Sequence, residues 1–182
     1  MRSRAPEEVP EGGAPAGAQE AALAAASATT RRFREAAEAR DVDSMLATLA
    51  EDVVLRSPIT DRVTFRGRAQ LGELLRSVFA TIEDIRYFAD VGDARTRALF
   101  ERARVGGQAL EQAVRVQLND RQQIEELTIF FRPLPGLAGL AAALAPRVAR
   151  KRGRGRALVA RALLAPLAWA TRAGDRLTPW LT

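Results

Sequence analysis

The chain has 182 residues, 47% of them hydrophobic, enough to bury one core with segments to spare, and a formal net charge of +6. It contains no cysteine and no histidine, which excludes disulfides, zinc sites of the Cys/His type, thiol nucleophiles and every mechanism with an imidazole base. Residues 1–17 and 18–133 each carry a net charge of −1, whereas residues 134–182 carry nine basic side chains and one acidic, so any polyanion partner belongs to the C-terminal segment.

Residues 1–17 are rich in Pro and Gly and are expected to form a flexible tail. The Met-Arg-Ser-Arg start runs straight into Glu7, Glu8 and Glu11, which speaks against a cleaved leader, and the lack of cysteine is compatible with a cytoplasmic location. From residue 18 the spacing of Leu23, Ala26, Thr30, Phe33 and Ala37 predicts an amphipathic helix ending at Arg40-Asp41. Asp41 is the expected N-cap of a short second helix with Val42, Met45, Leu46 and Leu49 on its buried face. Glu51-Asp52 leads into a brief strand, Val53-Val54-Leu55. Ser57-Pro58 and a polar turn follow, then Phe65-Arg66-Gly67, where the glycine opens a third helix carrying Leu71, Leu74, Leu75, Val78 and Phe79 on one side.

Four strands are expected at 82–91, 95–105, 109–119 and 123–132, joined at Gly92-Asp93, Gly106-Gly107 and Asn119-Asp120 into an antiparallel meander. Pro133-Leu-Pro135-Gly136 ends the sheet. The runs 137–149 and 156–172 read as helices, and neither supplies the roughly 20 clean apolar residues needed to span a bilayer.

This order of elements resembles the nuclear-transport-factor-2-like cone and, within it, the SnoaL-like group. The local likenesses are Asp41-Val42-Asp43, Glu51-Asp52-Val53, Ser57-Pro58, Phe65-Arg66-Gly67 and Ile124-Glu125-Glu126-Leu127-Thr128. The resemblance covers residues 18–133 and implies an α+β fold, with N-terminal helices packed on a curved antiparallel sheet around a conical pocket. Residues 134–182 then form a basic, amphipathic helical extension. Members of the superfamily bind small, mostly apolar molecules, and many are dimers. Its isomerases use a carboxylate at the end of the first strand, a phenol on the first helix and a protonated acid on the third meander strand. Here those positions look like Ser57, Phe33 and Val114, so that route is not expected.

Binding of a small hydrophobic molecule, without isomerase-type catalysis, is therefore the expected function, with Phe33, Leu55, Ser57, Phe65, Leu75, Phe79, Tyr87, Gln112, Val114 and Phe131 as the candidate ligand-binding residues. The alternative is a hydrolase, isomerase or cyclase with Glu101 as its acid or base. If Leu99, Ala103 and Val105 face the pocket, Glu101 joins them; a register one residue different puts it in solvent. Ser57 reads first as a turn residue before Pro58 and only second as a ligand contact, whereas Tyr87 and Gln112 read equally as rim or interface residues. Arg56 and Arg66 flank the mouth, either pairing with Asp52 or Asp61 or attracting an anion. No metal or cofactor is expected.

In the extension, Arg147, Arg150, Lys151, Arg152, Arg154 and Arg156 lie between apolar helices, with Trp169 and Trp180 beyond. Either these helices cover the cone or a dimer partner, or residues 137–172 associate peripherally with an anionic membrane. Nucleic acid is disfavoured, because no aromatic side chains interleave with the cations.

Overall fold

The computed structural model describes residues 16–60, 62–150 and 154–177. Most of the expected N-terminal tail, Asp61 and Trp180 fall outside the described residues, as do the side chains of Arg150, Lys151, Arg152, Arg154 and Arg156.

Helix α1 spans Ala16–Ala39, so it begins two residues inside the segment read as tail. Its buried positions Ala26, Thr29, Thr30, Phe33, Ala36 and Ala37 form one stripe. Leu23, expected on that stripe, is exposed, lying a turn before the first buried position. The helix stops because Arg40 turns left-handed (φ 57°). Its N–H then reaches the Ala37 carbonyl and that of Asp41 reaches the Ala36 carbonyl, the two bonds of a Schellman cap. Asp41 next caps α2 (Val42–Ala47), accepting from the Ser44 N–H at 3.0 Å. Leu49, read as part of that helix, instead starts strand β1 (Leu49–Arg56), which is longer than the three residues expected.

Between the polar turn and Gly67 lies a short edge strand not expected from the sequence, β2 (Thr64–Arg66), antiparallel to β1. Gly67, at φ 74°, allows the chain to turn directly into α3 (Gly67–Phe79), whose buried side is Leu71, Gly72, Leu75 and Phe79. The meander follows as β3 (Glu83–Gly92), β4 (Thr96–Val105), β5 (Gln108–Leu118) and β6 (Ile124–Arg132). Gly106 and Gly107, both at positive φ, make the two-residue turn between β4 and β5.

The sheet order is β2-β1-β6-β5-β4-β3. It is mixed rather than purely antiparallel, because β1 lies parallel to β6. Parallel neighbours need a long crossover, and here everything from β2 to β5 supplies it. Register shifts in β1, in β5–β6 pairing and twice in β3 bend the sheet around its inner face. Leu49, Leu71, Leu99, Leu110, Leu118 and Ile124 are fully buried on that side, each contributing about 1.5–3 kcal/mol.

The last helices are longer than the periodicity implied. Helix α4 spans Leu134–Arg150, with Pro135 in its first turn, where the missing N–H has no intrahelical acceptor to lose. Helix α5 spans Arg154–Leu177 and continues through Pro166. No described helix is long and apolar enough to cross a membrane. Helix α4 packs on α3, β4, β5 and β6, and α5 packs chiefly on α4.

Candidate functional site

The inner face of the sheet, with α1, α3 and α4, encloses a cavity of about 270 Å³. That is slightly below the roughly 300–1,000 Å³ range typical of small-molecule pockets. Phe33 comes from α1, Leu75 and Phe79 from α3, and Leu55, Phe65, Val114 and Phe131 from the strands. Ser57 stands at the mouth just beyond β1, where its hydroxyl accepts from the Ile59 N–H at 3.2 Å and holds the turn. Tyr87, Glu101 and Gln112 complete the group, so all eleven pocket residues singled out from the sequence line one space.

Strand register explains how the polar members meet. Tyr87 is paired with Glu101, Glu101 with Gln112, and Gln112 with Phe131, making one row across β3, β4, β5 and β6. Side chains in such a row stand about 5 Å apart on one face. Along β4, Arg97, Leu99, Glu101, Ala103 and Val105 are all buried, which places Glu101 inward and Arg102 outward, bonded to Glu111 at 3.0 Å. A phenol, a carboxyl and a primary amide thus share a wall that is otherwise apolar.

Glu101 is 4% exposed. Burial pushes its carboxyl up to about 7; the nearby Glu38 charge acts in the same direction and the bond to Tyr87 opposes it. The Tyr87 hydroxyl is driven well above its usual range, first by burial and then by Glu101, so it stays protonated. Glu38 also fixes the strand locally, accepting from the Tyr87 backbone N–H at 2.7 Å. A carboxyl near 7 exchanges its proton in the neutral range, and the phenol can donate to it or to a ligand oxygen.

A second polar cluster borders this row. The β3 irregularity between Tyr87 and Ala89 changes the inward parity, so Asp90, three residues from Tyr87, also turns in and pairs with Leu99. Asp90 Oδ1 accepts from Arg97 Nε at 2.8 Å and lies 2.7 Å from its Nη2; its Oδ2 accepts from the Thr30 hydroxyl at 2.7 Å. Arg34 approaches the same carboxylate at 3.3 Å. This cluster ties α1 to β3 and β4. Arg56, at the mouth, pairs with Glu126 on β6 at 3.0 Å.

Other wall residues were not singled out from the sequence: Met45, Ile82, Ile85, Leu127 and Ile129, and from α4 Leu140, Ala141, Leu144, Ala145 and Val148. Period two from Tyr87 and Phe131 points to Ile85, Leu127 and Ile129. The helices of the extension were read as covering the cone or a dimer partner, and α4 covers the cone, although no local signal picks out which of its residues reach the cavity. In the basic segment, Arg147 donates to the Ala80 carbonyl at 2.8 Å, fastening α4 to the end of α3. Among the described residues, no group of three acidic side chains gathers to hold a metal.

Residues 30–118 match the model of the SnoaL-like domain. That segment is a SnoaL-like domain of the nuclear-transport-factor-2-like superfamily. A steroid delta-isomerase from Pseudomonas aeruginosa is 27% identical to this SnoaL-like chain, with a TM-score of 0.64, and the alignment covers 70% of this chain and 94% of that one. A Silicibacter pomeroyi DSS-3 protein with a cystatin-like fold is 26% identical, with a TM-score of 0.62 and coverage of 73% and 92%. The epoxide hydrolase/cyclase-like enzyme of pyran ring formation in salinomycin shares the fold, at 14% identity, a TM-score of 0.51 and coverage of 59% and 90%. No curated protein matches the sequence.

Proposed function

We propose that this SnoaL-like domain binds a small, largely apolar molecule inside the cone, with the polar end of that molecule held by Tyr87, Glu101 and Gln112. The observation that carries this reading is the row itself: three adjacent hydrogen-bonding side chains on one wall of an apolar cavity. Such a wall selects orientation, because a ligand oxygen placed elsewhere in the cavity loses its water without gaining a partner. The ligand class is a compact hydrocarbon skeleton carrying one carbonyl or hydroxyl group. Thermal-shift measurements across a panel of terpenoid and steroid ketones and alcohols test it, with Val114→Trp as the filled-cavity control. Stabilisation of the native protein and none of the Val114→Trp protein is expected; equal shifts in the two reject the reading.

Acid–base catalysis is the second reading, favoured by the Glu101 carboxyl near 7. Similarity to the steroid delta-isomerase supports considering an isomerase or a cyclase. By the resemblance, the family's catalytic positions look like Ser57, Phe33 and Val114, however, and the acidic groups stand instead on β3 and β4. Any proton transfer here would therefore use Glu101 with Tyr87 as its hydrogen-bond donor. For a substrate found by the ligand screen, Glu101→Gln should abolish turnover while retaining binding; unchanged turnover rejects catalysis by this group.

A further inference from the structure

Helix α5 has two unlike sides. Ala168 is 1% exposed against the rest of the fold, whereas Leu158, Leu163, Leu167 and Trp169 are 68%, 70%, 51% and 73% exposed. With 3.6 residues per turn, those four positions and Ala162, Pro166 and Ala170 between them span about half of the helix circumference, and between residues 158 and 170 no charged residue falls in that half. Four large apolar side chains held in water on one face mark an interaction surface. The segment from residue 134 onward supplies nine basic side chains and one acidic. An apolar helix face within so cationic a segment is complementary to an anionic phospholipid surface, where the leucines and the tryptophan enter the headgroup boundary and the cations meet lipid phosphates. A protein partner would need a matching acidic rim around an apolar groove, whereas an anionic bilayer offers both without shape matching.

The same helix is joined to the cavity through one element. Helix α4 gives Leu140, Leu144 and Val148 to the cavity wall and is the principal packing partner of α5. We propose that α5 docks on an anionic phospholipid bilayer and that docking loosens α4 and so opens the cavity. The docking half stands on the α5 surface alone; the opening half rests on the cavity being a binding site.

The test uses the full chain with Trp180→Phe, which leaves Trp169 as the single tryptophan. Vesicles of phosphatidylcholine alone and of phosphatidylcholine with phosphatidylglycerol at 3:1 are compared by co-sedimentation and by Trp169 emission. Blue-shifted emission and co-sedimentation are expected with the anionic vesicles, both weakened by raised salt. Leu163→Glu with Leu167→Glu should reduce the bound fraction at least tenfold while leaving circular dichroism unchanged. Equal partition onto both vesicles, or none onto either, overturns docking. So does a dimer in solution that the two α5 substitutions dissociate, which would assign the face to a second copy. For the opening half, amide exchange of residues 137–148 should rise with anionic vesicles; unchanged or slower exchange overturns it. Ligand shifts measured without vesicles test the cavity separately, so either half can fail without the other.

Discussion

Tyr87 and Glu101 face each other across β3 and β4, and burial holds the Glu101 carboxyl near 7. In the folded protein Glu101 keeps its proton to about 7, whereas in the unfolded chain it releases it near 4.5. The folded state thus binds more protons between those values, and stability falls as pH rises through that window. The contribution is complete below about 4.5 and lost above about 7, roughly 3 kcal/mol in all at about 1.4 kcal/mol per unit. Asp41, Asp93 and Glu126 are shifted the opposite way, so their stabilisation disappears only below the ordinary carboxylate range. Urea unfolding at pH 5 and pH 8 should show a lower midpoint at pH 8 for the native sequence and a much smaller difference for Glu101→Gln.

The Asp90–Arg97 pair should behave as a buried ion pair that is costly to break from one side. Both side chains are under a tenth exposed, and Thr30 and Arg34 complete the shell around the carboxylate. Asp90→Ala leaves Arg97 charged and unpaired in the interior and should destabilise by about 3–5 kcal/mol. Asp90→Leu combined with Arg97→Met removes both charges and should recover most of that loss. Urea midpoints of the two variants decide it: equal losses would mean the pair is not the source of the cost.

Helix α4 sits close to β5 because residue 136 has no side chain. A Cβ there would stand 2.6 Å from the Ala109 carbonyl oxygen and 3.0 Å from Leu110 Cδ1. Backbone cannot yield as a flexible side chain can, so Gly136→Ala must push the helix outward, at a cost of about 1–3 kcal/mol. Faster amide exchange in residues 137–148, together with weaker binding of whichever compound the cavity takes, is the expected outcome. Exchange confined to its native rate would show that α4 relaxes without moving.

Much of this fold was legible because local signals agreed with the tertiary answer. Asp41 capping, the Gly106-Gly107 turn and the alternation along β4 each follow from residue chemistry within a few positions. The row Tyr87–Glu101–Gln112–Phe131 was legible only as a set of candidates, since period two leaves the register of each strand open by one. What settles Glu101 is the burial of Leu99, Ala103 and Val105 on the same face of β4; Arg97 joins that face paired with Asp90, which turns inward through an irregularity that no turn residue announces. The parallel pairing of β1 with β6 and the use of α4 as a wall are contacts distant in sequence. Apolar residues at helical spacing say that a face is buried but not against what.

The outer face of the sheet carries the last prediction. Phe130 is paired with Ala113, and Ala113 with Phe100, whose ring centroid lies 6.2 Å from that of Phe88. Arg102 stacks over Phe88 at 4.7 Å. This aromatic row lies opposite the cavity, and Phe88 and Phe130 are 54% and 57% exposed. We propose that two copies pair through it, which would bury those rings and leave the cavities free. In a two-fold interface each substitution acts twice. Burying one Phe stabilises by about 1.5–3 kcal/mol, so Phe130→Glu should weaken the dimer by roughly 100-fold or more. Sedimentation velocity over a concentration series is the measurement. A dimer unaffected by Phe130→Glu would move the interface off the sheet, and a native protein monomeric at all concentrations would reject pairing altogether. Leu163→Glu on α5 should leave the dimer intact, because that helix lies outside this face.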